Sequence, residues 1–263
     1  MNRIKDRFAE LRRKREKALI AYLTVGFPTL RRFSDLARTA QGAGVDILEL
    51  GVPFSDPLAD GRTVQAASEK ALRQGVSLAL VLDQVRQIRR DGVQIPLVLM
   101  TYINPVLAYG VGAFFRDGKA NGMDGVIVPD LPPEEAGEWV DAARSHGIDT
   151  IFLAAPTSLR ERLARIVAVS TGFLYTVSLT GVTGARRHLP EDVAEHVRAI
   201  RRMTDLPICV GFGISGPQQV REILQVADGV VVGSALLDVV SKAGPRAPQA
   251  AEKFLKELKN ACR

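Results

Sequence analysis

The sequence predicts an α/β protein, a (β/α)8 TIM barrel, built by residues 1–263 as a single domain. Three observations carry this. Short apolar runs rich in β-branched residues recur eight times. Longer stretches with apolar residues at helical spacing separate them. No low-complexity linker interrupts the series. Eight alternations favour a parallel sheet closed on itself, and α/β barrels of this length are common as one unit. A doubly wound open sheet is the alternative.

The candidate strands are residues 18–26 (ALIAYLTVG), 45–53 (VDILELGVP), 95–102 (IPLVLMTY), 125–130 (GVIVPD), 148–156 (IDTIFLAAP), 172–178 (GFLYTVS), 207–213 (PICVGFG) and 229–235 (GVVVGSA). The helical stretches between them are 30–43, 62–91, 106–121, 133–146, 159–170, 191–203 and 217–226, with two more at 234–241 and 248–261. Glycines at 42, 44, 122, 147 and 172 mark helix stops before strands. An N-terminal helix precedes the series. Its apolar face is Ile4, Phe8 and Leu11, and Arg12, Arg13, Lys14, Arg15 and Lys17 form a solvated face. The run ALLDVV after the eighth strand fits an extra short helix.

The formal net charge is +6. The other positives, such as Arg31, Arg38, Arg73, Arg144 and Arg165, are scattered among acids, so no nucleic-acid surface is expected. Only Cys209 and Cys262 are present, which speaks against a disulfide framework and for a reducing cytoplasm. The first residues lack the apolar core of a signal peptide, and Asp6, Glu10 and Glu16 argue against a transit peptide. No apolar stretch is long enough to span a bilayer.

In a barrel the chemistry sits at the C-terminal ends of the strands. The most informative run there is LELGVPFSDPLADG, residues 48–61. Glu49 lies inside an apolar strand, where a charge is costly unless paired or neutralised. Side chains alternate, so Glu49 shares a face with Ile47 and Gly51. If that face is the barrel interior, desolvation raises its pKa and lets it shuttle a proton near neutrality. Asp60 follows in a polar loop and is expected to stay ionised. Thr101, Tyr102, Asp130 and Tyr175 complete the strand ends, and Tyr102, Tyr175 and Thr183 offer hydroxyls.

Three consecutive late loops are rich in small residues: Gly181 and Gly184, then Gly211 and Gly213, then Gly233 and Ser234. Glycine lets a backbone approach a ligand, and a helix starting at Ser234 adds free N–H groups. Barrels bind phosphate at this place, so an organophosphate substrate is expected.

Elimination narrows the reaction. His146, His188 and His196 share no motif with a carboxylate or thiolate, so no metal site is expected. No lysine lies in a candidate strand, so a Schiff base lacks its nucleophile. A carboxylate pair moves protons but accepts no electron pair. Cleavage of a C–C bond here would need a substrate that carries its own electron sink.

LELGVPFSDPLADG resembles the signature of the tryptophan synthase α subunit family. The resemblance covers nearly the whole chain, through YLTVGFP, LMTYINPV, PDLPPEE, GVTGAR, GFGIS and VVVGSA. It implies retro-aldol cleavage of indole-3-glycerol phosphate to indole and glyceraldehyde 3-phosphate, in tryptophan biosynthesis. The indole ring is then the electron sink. By this resemblance Glu49 is the acid/base at indole C3, and Asp60 accepts the indole N–H. Tyr22, Met100, Tyr175, Thr183 and Ile214 line the substrate pocket. Gly184, Phe212, Gly213, Gly233 and Ser234 hold the phosphate. No cofactor is implied in this chain. Pyridoxal phosphate is expected in a β subunit partner, joined in an α2β2 heterotetramer. Pro53, Phe54, Ser55, Asp56, Asn104 and Pro105 match segments facing that subunit. Two departures stand out: Leu179 replaces an Arg of some members, and Tyr22 replaces a Phe. A stand-alone indole-releasing lyase, an aldose- or ribulose-phosphate isomerase and a noncatalytic partner subunit are the competing readings.

Overall fold

The computed structural model describes residues 2–177, 191–211 and 213–263. All strand pairings are parallel, in the order β5-β4-β3-β2-β1-β9-β8-β7-β6. Here β1 is Ala18–Thr24, β2 Ile47–Gly51, β3 Leu97–Met100 and β4 Gly125–Ile127. They are followed by β5 Asp149–Ile151, β6 Leu153–Ala154, β7 Leu174–Val177, β8 Ile208–Gly211 and β9 Gly229–Val232. The two ends of this order, β5 and β6, are separated only by Phe152, so the chain itself closes the barrel. The fifth expected strand is thus two ladder segments. The Phe152 carbonyl still accepts the Tyr175 N–H at 3.2 Å, so the break is local.

Every residue of β1 and β2 is buried, because a parallel strand in a barrel faces helices on one side and the interior on the other. Leu19, Leu23, Leu48 and Leu50 join the large core between sheet and helices. Ala18, Ile20, Ile47, Val98, Ile127, Ile151, Cys209 and Val231 form a separate interior cluster. Helix α1 (Arg3–Lys14) caps the floor of that cluster with Ile4, Phe8 and Leu11. Its Arg12, Arg13, Lys14 and Arg15 are exposed, as the apolar spacing predicts.

Polar contacts fix the same floor. Asp46, Asp124 and Asp228, each just before or near a strand start, accept the backbone N–H groups of Leu19, Leu97 and Ile208 at 2.7, 2.9 and 2.9 Å. Arg3 pairs with Asp124 at 2.8 Å, and Arg7 Nε reaches Asp46 at 3.0 Å. The buried Lys259 ammonium lies 2.8 Å from Asp46. With the floor sealed, the open end is the C-terminal end of the strands.

The helical layer refines two expectations. Residues 62–91 form two helices, α3 (Arg62–Leu72) and α4 (Leu78–Arg90). Gly75 at φ 77° turns the chain between them, and Ser77 caps α4 by accepting the Leu80 N–H at 3.3 Å. Residues 103–121 likewise split at Gly110, φ 93°, into α5 (Ile103–Tyr109) and α6 (Val111–Asn121). Around the rest run α2 (Phe33–Gly42), α7 (Gly137–Ser145), α8 (Arg160–Val169), α9 (Glu191–Arg201), α10 (Pro217–Ile223), α11 (Ser234–Ala243) and α12 (Ala247–Asn260). Helix α11 is the expected helix after the last strand. Among the described residues, no helix is long and apolar enough to cross a membrane. Both thiols are free and buried.

Candidate active site

Glu49 lies in β2 opposite Tyr22 of β1 and Val98 of β3. Ile47 belongs to the interior cluster, so alternation sends Glu49 and Gly51 inward as well. Glu49 is 1 % exposed, and neither carboxylate oxygen has a hydrogen-bond partner among the described residues. Burial, and then the charge of Asp60, push its pKa up to about 8. Glu49 therefore holds a proton at neutral pH and is poised to give it up.

Asp60 differs from the expectation of an ordinary loop acid. It is half-buried, and burial raises its pKa to about 6, while the Tyr102 hydroxyl pulls it back down. At neutral pH it is mostly ionised, so the two carboxyls occupy opposite protonation states, which suits them to acid/base work.

The inward faces of the neighbouring strands supply aromatic walls. Both Tyr22 and Tyr175 are held well above the usual phenol range, chiefly by burial and then by the nearby carboxylates. The Tyr22 oxygen accepts the Thr24 hydroxyl at 3.3 Å. A Cβ on Gly51 would collide with the Tyr22 hydroxyl, and a Cβ on Gly211 with the Tyr175 hydroxyl. These two glycines are required because the phenols cross above them. Met100 is half-buried at the end of β3, and Ile214 is buried after β8.

Across the rim, Gly213 is exposed at φ 68°, with open space where a Cβ would stand. Gly233 precedes α11, whose first residue is the exposed Ser234, so the free N–H groups of that helix start lie here. Thr183, Gly184 and Phe212 lie outside the described residues, as do Gly181, Leu179 and His188.

The expected partner-facing segments are at the same end. Pro53 is buried, Phe54 and Pro105 are half-buried, and Ser55, Asp56 and Asn104 are exposed. Two leucines were not singled out from the sequence, Leu58 at 92 % exposed and Leu107 at 59 %. Leu58 sits in PLADG, where a leucine serves no barrel period, and that was the available signal. Tyr102 was noted only as a hydroxyl. It proves to be buried, with its oxygen accepting the Ala59 N–H at 3.0 Å and its ring stacked on Phe54.

His196 lies in the charged helix α9 yet is buried, with Nε2 unpartnered among the described residues and its pKa lowered chiefly by burial. Among the described residues, no group of three or more His, Cys, Asp or Glu side chains is arranged to hold a metal ion.

The Glu49 shift has a consequence for stability. Its carboxyl titrates near 4.5 when unfolded and near 8 when folded, so the folded chain keeps a proton the unfolded chain has lost. That contribution is fully present below pH 4.5 and is lost as pH rises through 8. Between pH 5 and 9 it amounts to on the order of 4 kcal/mol. Thermal unfolding of wild type should show a Tm that falls across this range more steeply than that of Glu49→Gln. Parallel Tm curves would mean an ordinary Glu49 pKa.

The chain was compared with known proteins. The family model for the tryptophan synthase alpha chain matches residues 8–263. The tryptophan synthase alpha chain of Roseiflexus castenholzii is 50% identical over 245 residues, covering 93% of this chain and 94% of that one. That of Chloroflexus aggregans is 47% identical over 262 residues, covering 99% and 98%. A crystal structure of tryptophan synthase subunit alpha from Legionella pneumophila superposes with a TM-score of 0.93 at 35% identity, covering 100% of this chain and 98% of that one. A chain in a tryptophan synthase structure from M. tuberculosis gives a TM-score of 0.90 at 38% identity, covering 100% of both. Matched over nearly its whole length by this family model and by relatives about half identical, the chain belongs to the tryptophan synthase alpha chain family, lyases of tryptophan biosynthesis that act on indole-3-glycerol phosphate.

Proposed function

We propose that residues 1–263 act as one barrel that cleaves indole-3-glycerol phosphate to indole and glyceraldehyde 3-phosphate, with Glu49 as the proton carrier. The observation that carries this is a buried Glu49 whose two oxygens find no partner among the described residues, with burial and the nearby Asp60 charge both raising its pKa. A fully buried carboxyl left without a hydrogen bond is costly unless a substrate supplies the partner.

The steps balance without metal or lysine. Neutral Glu49 gives its proton to indole C3. The ring becomes an indoleninium ion whose positive charge lies largely on N1. Asp60, as an anion, accepts the N1–H hydrogen bond and stabilises that charge. The Glu49 carboxylate then takes the proton of the hydroxyl on the carbon bonded to C3. The C–C bond breaks, its electron pair returns to the ring to give indole, and the hydroxyl carbon becomes the aldehyde. Glu49 ends protonated, as it began.

Tyr22, Met100, Tyr175 and Ile214, with Thr183, hold the indole glycerol body. Gly213, Gly233 and Ser234, with Gly184 and Phe212, hold the phosphate through backbone N–H groups. This arrangement assigns no cofactor to the chain itself. Pyridoxal phosphate belongs to a β subunit, met by Pro53, Phe54, Ser55, Asp56, Asn104 and Pro105 in a cytoplasmic α2β2 assembly. Exposed Leu58 and Leu107 support this reading of that rim, since apolar side chains there gain from being covered.

The test is to incubate the purified chain with indole-3-glycerol phosphate, with and without a β subunit, and to measure indole and aldehyde. Both products should appear in equal amounts. Saturating β subunit should raise the rate about tenfold or more, because ordering even one loop residue otherwise costs about 1–2 kcal/mol. No indole under either condition would refute the lyase reading, and an unchanged rate at saturation would refute the coupling.

A further inference from the structure

The loop from β2 to α3 carries four of the expected partner-facing residues, Pro53 to Asp56, as well as Asp60, and one side chain from outside the loop touches both parts. Tyr102, 3 % exposed at the end of the β3 segment, stacks on Phe54 with ring centroids 5.2 Å apart and planes 30° apart. Its hydroxyl oxygen accepts the Ala59 N–H at 3.0 Å, one residue before Asp60. Among the described residues, the other hydrogen bonds of residues 53–61 run within the loop or to α3. They are Leu58 N–H to Asp56, Asp60 N–H to Pro57, Ser55 to Asp56, Gln65 N–H to the Gly61 carbonyl and Gln65 Nε2 to the Asp60 carbonyl. Tyr102 thus ties this loop to the turn that follows β3.

We propose that Tyr102 is a positioning residue that links the placement of Phe54, on the partner-facing side of the loop, to the placement of the Asp60 carboxylate. A shift of Phe54 slides or tilts the stacked ring. The ring carries the hydroxyl, the hydroxyl carries Ala59, and Ala59 is covalently joined to Asp60. The inference deepens the proposed function, since it rests on Asp60 being the group that meets the indole nitrogen. The hydroxyl also faces Asp60 and favours its ionised form. The other titratable groups around the Asp60 carboxyl are Glu49 of β2, Tyr22 of β1 and Tyr175 of β7. None of these is attached to the partner-facing loop.

The experiment is a carboxyl-carbon NMR titration of Asp60 in the full chain labelled at aspartate, with the signal assigned by its loss in Asp60→Asn. Wild type should titrate near 6. Tyr102→Phe keeps the ring and its stacking but removes the hydroxyl, and should move the midpoint up by about one pH unit. At pH 6 the ionised fraction then falls about fivefold, while far above the new midpoint it barely changes. Cleavage by this variant should lose more at pH 6 than at pH 8, whereas a purely structural defect would lower both alike. Phe54→Leu removes the stack but leaves every ionisable group in place, and should move the midpoint the same way by a smaller amount. An unmoved midpoint in either variant overturns the proposal. If wild type fails to cleave indole-3-glycerol phosphate while the midpoints move as stated, the functional reading falls and the linkage stands.

Discussion

Glu49→Gln should lower kcat for indole release by about 10²–10⁴-fold, the range a positioned acid/base contributes. KM should stay within about threefold, because the amide keeps the shape and volume of the carboxyl. The variant should still fold, since among the described residues the side chain it replaces has no hydrogen-bond partner to lose. Steady-state kinetics on wild type and variant, with circular dichroism as the folding control, make the comparison. Turnover near the wild-type rate would remove Glu49 from the reaction. A large rise in KM with kcat intact would make it a binding group instead.

The second large effect is expected across the rim. Gly213→Val should reduce kcat/KM for the phosphorylated substrate by about 10²-fold, with little change in the binding of free indole. Two causes add. Gly213 sits at φ 68°, where a β-branched residue costs on the order of 1–3 kcal/mol. A Cβ there meets nothing within 4 Å, so the valine side chain projects into open space, the volume assigned to the phosphate. Calorimetry with glycerol phosphate and with indole separates the contributions. Equal losses for both ligands would make the loop after β8 a structural turn.

Much of this architecture could be read from residue order because the signals are local. The runs ALIAYLT and ILELG are apolar on both faces, as parallel strands covered on both sides must be. Alternation put Glu49 on the same face as Ile47, and the structure shows that face to be the interior. The late-loop glycines were legible as small residues clustered in three successive loops, and the structure places Gly213 at φ 68°, which favours glycine.

What was hidden depends on contacts distant in sequence. Nothing in PLADG indicates that Asp60 will be drawn under Tyr102, 42 positions away, and acquire a raised pKa; composition alone gives an ordinary turn acid. The role of Tyr102 was obscure for the same reason, since both of its contacts cross from one βα loop to another. His196 reads as polar because its helix is charged, yet its position in α9 turns it toward Ala154 of β6. The break at Phe152 leaves no mark in IDTIFLAAP, since Thr150, Ile151, Phe152 and Leu153 around it all suit a strand. The floor aspartates at 46, 124 and 228 carry no distinguishing sequence signal, yet each accepts a backbone N–H at the start of a neighbouring strand.

The most direct test of Glu49 as the proton carrier is hydrogen exchange at indole C3 in heavy water, with free indole and glycerol phosphate bound together and no C–C bond to break. Wild type should replace the C3 hydrogen with deuterium far faster than bulk solvent does, and Glu49→Gln should bring the exchange down to the solvent rate. Equal exchange in the two proteins, or none above solvent in wild type, would contradict proton transfer between this side chain and the ring.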